Sequence, residues 1–418
     1  MVAERFIPYR SSEIIDMLCA DGQLSTAAQQ QFRNFCTILQ SLYHFEFHDK
    51  IKTLKRYYHP FDPDSDTRTN KTYSLAERSE CETKLVANFT ELLNAANYEV
   101  LTDKDIQYAL KEEALFEVSL DIDFNDFASC ILHRRGDIVK TATISKWMFW
   151  SQKIEVPTFE RVVILVKFKD RDYFIAKGYK QPPFEPGSMV IKLFKDIPKA
   201  DLEMLFPNVR VKMRLNDKLI MGIPAVSGLI GMIMKTGAGI IAFWILLKSL
   251  LGHIFQDNAL VLPNSSELAQ IIAGITALSA IGGFLFQQWT KYKNRKIEFL
   301  KTLGDNLYFK NLDNNVGVFH HVIDAAEEEE CKEAILGYYF LLQHPNGLNA
   351  ADLDHKVETW FATKYQVQID FEVDDALRKL KALELCQLDA QQAYTVKDLD
   401  AACERLDFIW DNYFQYNT

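Results

Sequence analysis

Two groups of residues have the types and the spacing to do chemistry. The first is His44-Phe-Glu-Phe-His48. On a helix it puts two imidazoles on one face at i,i+4, where they can share a transition metal. It is not an HExxH arrangement, because its glutamate lies midway between the histidines and points elsewhere. A third ligand would come from Asp62, Asp64 or Asp66. That acidic stretch begins like a calcium loop, but Thr67 stands where glycine is needed, Tyr73 where the bidentate glutamate should be, and Pro63 stiffens it. A turn rich in Asp and Pro is the plainer account. The second group is His320-His321 with Asp324, Glu327 and Glu328. His320, Asp324 and Glu328 fall on one helix face and His321 lies three residues from Asp324, so an acid/base or metal pair is sterically open. Asn311-Leu-Asp-Asn-Asn315 just ahead would cap the helix or add ligands. The plainer account is a solvated acidic face whose histidines pair with carboxylates.

These residues need elements to hold them, and residues 1–112 read as helices. Ser12 precedes an apolar-periodic run that Gly22 ends, and a long amphipathic run from Thr26 reaches Tyr58 before Pro60 and Pro63 stop it. Ser74-Leu-Ala-Glu77 is a capping box, and Thr102 opens one more helix, to about Lys111. The pattern then changes to strands: Phe116–Ile122 alternates with period two, while Val162–Val166 and Met189–Phe194 are short buried-strand runs. A small α+β module fits 113–218. Further on, Gly317–Leu342 is helical until Pro345-Asn-Gly breaks it. Two helices (351–365, 371–385) and a hairpin (386–388, 393–396) follow, an order that resembles a winged helix. The last helix places Leu399, Leu406, Trp410 and Tyr413 on one face, a docking or core stripe.

At 418 residues the chain is long enough for two or three domains. A formal charge of −10 argues against a nucleic-acid binder, which would need a basic face, and the tail from Leu303 is acidic as well. Protein contact fits that tail better. The seven cysteines are scattered with no CxxC or zinc spacing, which suits free thiols in a reducing compartment. Met1-Val-Ala-Glu-Arg-Phe-Ile-Pro8 has no apolar signal region. No GxSxG, phosphate-binding loop, GxGxxG or kinase motif occurs, and no motif calls for a cofactor.

One stretch has a different composition. Leu219–Gly252 and Leu268–Trp289 are almost wholly apolar, so two membrane spans are expected, at about 236–254 and 268–286, with 220–234 interfacial or re-entrant. Arg210, Lys212, Arg214 and Lys218 precede the first expected span and Lys291, Lys293, Arg295 and Lys296 follow the second, which would put both termini on the cytoplasmic side. Lys235 and Lys248 would lie within the first apolar run, Lys248 snorkelling to the outer end. Small residues such as Ala273, Ala277, Ser279 and Gly283 would let spans pack on each other or on another copy.

Several strings resemble the transmembrane-protein-143-like family: Glu4-Arg-Phe-Ile-Pro-Tyr-Arg10, Tyr58-His-Pro-Phe-Asp-Pro-Asp64, Phe159-Glu-Arg-Val-Val-Ile-Leu165, the run Ile191–Pro207, Asn311–Asn315, Ala326–Ala334 and Trp410-Asp-Asn-Tyr-Phe414. They run from the first residues to the last. The resemblance implies a two-span membrane protein carrying a domain of unknown function, and it transfers no catalytic residue. Since no presequence precedes the strings, a bacterial inner membrane is the implied address.

Together these features predict an α+β membrane protein: helical 1–112, an α+β module at 113–218, a transmembrane hairpin at 219–290 and a winged-helix-like domain at 291–418. Its expected role is a self-associating, membrane-anchored scaffold without enzymatic activity, with the bilayer and another copy or another protein as partners and no nucleic acid. The alternatives are an oligomeric channel or transporter subunit, and a membrane-tethered enzyme using His320, His321 and Asp324.

Overall fold

Helices start where the sequence supplies caps. In the computed structural model, which describes residues 5–65, 67, 70–102, 119–147, 150–182, 184–212, 244, 248 and 265–414, α1 spans Ser11–Cys19 and α2 spans Thr26–Tyr58. The Ser25 side chain accepts from the Ala28 amide at the head of α2, and His59-Pro60 turns the chain at its end. The Ser74/Glu77 box closes as expected at the start of α3, Leu75–Ala95. The helix expected from Thr102 lies outside the described residues.

The described residues divide into two compact units. The first combines residues 1–111, 124–202 and 310–418. Its sheet has the order β1-β3-β4-β5-β7, antiparallel throughout: β1 Glu99–Val100, β3 Phe127–Trp147, β4 Trp150–Phe168, β5 Met189–Pro198 and β7 Asn311–Asn314. Val162–Val166, read from sequence as a buried run, forms the middle of β4 and is buried at every position. Its alternate residues Val163 and Leu165, with Met189, Ile191 and Leu193 of β5, share one core with the helices. Tyr58 at the end of α2 is fully buried and donates its hydroxyl to the Met189 carbonyl at 2.8 Å, which ties the helical layer to the sheet. The short helix α4, Arg171–Ala176, follows β4.

The helical layer is organised around α6, Val316–Leu342, on which α1, α2, α3, α7 (Ala350–Tyr365) and α8 (Val373–Ala382) all pack. Hairpin β8 (Cys386–Leu388) and β9 (Tyr394–Val396) comes next, and Leu348 forms an antiparallel bridge with Tyr394. The last described helix, α9 (Leu399–Asp411), buries Leu399, Ala402 and Leu406 and packs on α2.

Entry into α6 depends on an asparagine. Asn315, buried at φ 50° and ψ −122°, exchanges hydrogen bonds with Ile191 (N to O 2.7 Å, Ile191 N to Oδ1 3.0 Å) and donates to Asp64 Oδ2. An Asn315→Ala variant loses all the side-chain bonds and keeps a backbone angle that alanine disfavours. We expect it to cost about 1–3 kcal/mol, read as a shift in the urea midpoint. A midpoint unchanged within error would refute the clamp.

The second unit, residues 112–123 and 203–309, contains the β2–β6 ladder (Ser119–Asp121 with Arg210–Lys212) and nearly all of α5, Ser265–Lys310. Among the described residues no helix is long and apolar enough to cross a membrane. This overturns the two-span hairpin, the α+β membrane class, the membrane-anchored scaffold, channel and membrane-tethered enzyme readings, and the multi-pass inner-membrane address with both termini inside. The physical reasons are local. Helix α5 has the length, but its described side chains mix Ile272 and Ile275 with Ser265, Thr276, Ser279, Gly282 and Gly283. It also continues unbroken through Lys291, Lys293, Arg295 and Lys296 to Lys310, so the residues expected as a flank lie within one helix. Arg210 and Lys212, expected ahead of the first span, pair as strand residues of β6 with Asp121 and Ser119. Of that span only Trp244 and Lys248 are described, and Arg214, Lys218, Lys235 and the segment 220–234 lie outside the described residues.

Candidate functional site

The two histidine groups of the sequence are not two sites. Helix α2 carries His44 and His48, both exposed, and α6 carries His320, His321 and Asp324, also exposed. What the fold joins is one member of each group. His44 Nδ1 lies 3.1 Å from both carboxylate oxygens of Glu327. Another member finds a separate partner. His321 Nδ1 is 3.0 Å from Asp313 Oδ2. Gly317 makes that pairing possible, because a Cβ there would lie 1.9 Å from Asp313 Oδ1. Burial, with Lys55 nearby, lowers the pKa of His320. Asp62 Oδ1 accepts from the Asp64 amide, a turn bond, and Asp64 holds Asn315. Among the described residues no three His, Cys, Asp or Glu side chains are arranged to hold a metal ion.

The His44–Glu327 pair stands in a groove of about 480 Å³ where α1, α2, α6 and α9 meet. One side is polar. Ser11, at the start of α1, gives its amide and hydroxyl to Glu328 at 2.9 and 3.1 Å, and Gln40 donates to the Ser11 hydroxyl at 3.0 Å. Phe45 and Trp410 add aromatic lining. Phe45 is at the centre of an aromatic group, edge-on to Trp410 at 6.2 Å, Tyr413 at 4.6 Å and Phe414 at 5.2 Å. Much of that group faces outward: Trp410 is 44% and Phe414 62% exposed. The stripe expected on the last helix therefore splits, with Leu399 and Leu406 in the core and Trp410 and Tyr413 at the surface.

On the buried side of α6 is a second constellation. Glu329, Lys332, Glu333 and Lys379 are all buried. Lys332 Nζ bonds Glu329 at 2.5 Å and the Ile7 carbonyl at 2.8 Å. Lys379, from α8, reaches Glu333 at 2.5 Å, Glu330 at 2.9 Å and Asp375 at 3.6 Å. Asn97 donates to Glu333 at 3.1 Å. Around this cluster Phe6 lies under both Lys332 and Arg135, at 5.0 and 4.4 Å. Burial raises the carboxyl pKa of Glu329 in spite of Lys332, and raises that of Glu333 to about 7 in spite of Lys379. Burial opposes the ammonium of Lys379, but Glu333 and Glu330 outweigh it and its pKa is raised.

Glu329, Glu330, Lys332 and Glu333 belong to the string Ala326-Glu-Glu-Glu-Glu-Cys-Lys-Glu-Ala334, whose Glu327 and Glu328 read from sequence as part of a solvated acidic face. One signal pointed inward: Ala334-Ile-Leu-Gly-Tyr-Tyr-Phe-Leu-Leu342 is apolar on every side, the mark of an interior helix, and the glutamates lie immediately before it.

Fold and site together define a mixed α/β protein whose antiparallel five-stranded sheet backs a helical layer with a buried ionic cluster and an acidic-aromatic groove. Residues 159–317 match the model of a family described as a protein of unknown function, DUF3754. The match covers β4 from Phe159 onward, β5 and β7, and the groove and ionic cluster lie outside it.

Proposed function

We propose that this chain is a non-enzymatic interaction protein that self-associates, and that it stands beside the transmembrane-protein-143-like proteins. Strings at both ends of the chain support that placement, and the match over 159–317 is compatible with it. The observation that carries the interaction reading is the exposed aromatic pair Tyr413 and Phe414 at the end of the described chain. Clustered aromatic side chains left facing water mark contact surfaces, because they offer large apolar area at small entropic cost. The occupant we assign is a second copy of the same chain.

Sedimentation of the full chain over a range of concentrations tests this. We expect a mass above that of the monomer which falls on dilution, and a shift towards monomer in a Tyr413→Ser, Phe414→Ser double variant. A wild-type chain that is monomeric at every concentration, or a double variant that associates as tightly as wild type, would refute the proposal.

A further inference from the structure

We infer that the groove between α1, α2, α6 and α9 is a binding site for the guanidinium group of an arginine side chain presented by a protein partner. Four features of the site lead to that chemistry, and none depends on self-association.

The first is size: about 480 Å³ lies within the range of about 300–1,000 Å³ usual for ligand sites. The second is charge. Glu327 and Glu328 line the groove and no Lys or Arg does, so its described lining carries an excess of negative charge. The third is the unequal commitment of the two acids. Glu328 is occupied by the amide and hydroxyl of Ser11. Among the described residues Glu327 is paired through His44, whose side chain is 75% exposed. A carboxylate held this way can present both oxygens to a planar fork of N–H donors, the geometry that a guanidinium matches and a lysine ammonium does not. The fourth is aromatic lining. Phe45 and Trp410 present ring surface, and guanidinium stacks on aromatic faces while giving up less hydration than an ammonium. Carboxylates and aromatic rings lining one groove suit a planar cation, and the hydroxyl and amide lining from Ser11, Thr37 and Gln40 can accept the remaining donors.

Isothermal titration of the full chain with acetyl-Ala-Arg-Ala-amide tests the site, with the citrulline and lysine versions of the same peptide as comparisons. The arginine peptide is expected to bind saturably. The citrulline peptide, neutral but of the same shape, should bind at least tenfold more weakly, and the lysine peptide several-fold more weakly. Glu327→Gln should reduce affinity for the arginine peptide at least tenfold and Trp410→Leu several-fold. Glu80→Gln, far along the surface of α3, should leave it unchanged. Trp410→Leu keeps the inference testable if Glu327→Gln does not fold. Absence of saturable binding, equal binding of arginine and citrulline peptides, or indifference to both groove variants would overturn the site. Equal binding of the lysine peptide would overturn the guanidinium assignment.

Discussion

Replacing Lys379 with methionine is expected to destabilise the unit built around α6 by about 3–5 kcal/mol, the largest effect of any single substitution proposed for this chain. The ammonium is buried and serves Glu330, Glu333 and, at longer range, Asp375. Methionine fills much the same volume, so the loss comes from charge, not from a cavity. One fully buried carboxylate, Glu333, and one mostly buried carboxylate, Glu330, lose their counter-ion. A triple variant, Lys379→Met with Glu330→Gln and Glu333→Gln, separates the two causes, since it removes the stranded charge and should recover at least half of the loss. Urea unfolding followed by far-ultraviolet dichroism gives both values. A loss below about 1 kcal/mol for Lys379→Met would show that the acids take up protons or water at no cost, and would dismiss the cluster as an energetic unit.

The second large effect is a dependence of stability on pH. Three carboxylates, Glu329, Glu330 and Glu333, meet two ammonium groups, Lys332 and Lys379, within this cluster. The same region contains Asp375 from α8, Arg135 from β3, Tyr43 from α2 and the amide of Asn97. One acid is in excess of the lysines, and Glu333 is the one whose pKa burial raises to about 7 from 4.5. A carboxyl with a raised folded-state pKa binds its proton more tightly when folded than when unfolded. The stability it contributes is therefore fully present below about pH 4.5 and is lost as pH rises through about 7. Glu329, also raised by burial, acts in the same direction. Lys379, whose folded pKa is raised above 10.5, contributes stability that is lost only at more alkaline pH, outside this window. Urea midpoints between pH 5 and 8 should thus fall with pH in the wild type and fall less in Glu333→Gln, whose side chain cannot ionise. Parallel profiles for the two proteins would show that Glu333 does not titrate in this range.

Much of the secondary structure was legible because its rules are local. A capping serine and the glutamate three residues on are neighbours in any helix, so Ser74 and Glu77 announce the start of α3 wherever it packs. Prolines after Tyr58 stop α2 for an equally local reason. The buried run at 162–166 names a central strand by composition alone. Hydropathy misled where composition was read as an address: the apolar stretch from Leu268 continues into α5, and that helix, among its described residues, does not sustain the character a membrane would require.

The chemistry was legible only in part. His44 and Glu327 were both candidates, yet they are 283 positions apart, and nothing in either neighbourhood names the other. The glutamates after Ala326 were visible as a string, but whether they face water or a lysine depends on Lys379, 46 positions beyond Glu333. From the sequence alone come the helix limits, the strand runs, the negative charge and the inventory of acids and histidines, because each follows from neighbours a few positions away. Only the tertiary structure decides which acids are buried, which histidine lines a groove, and that aromatic residues of α2 and of the chain from Trp410 to Phe414 share one surface. Those choices depend on the packing of α6 against five other helices, and packing brings together residues that sequence spacing leaves unrelated.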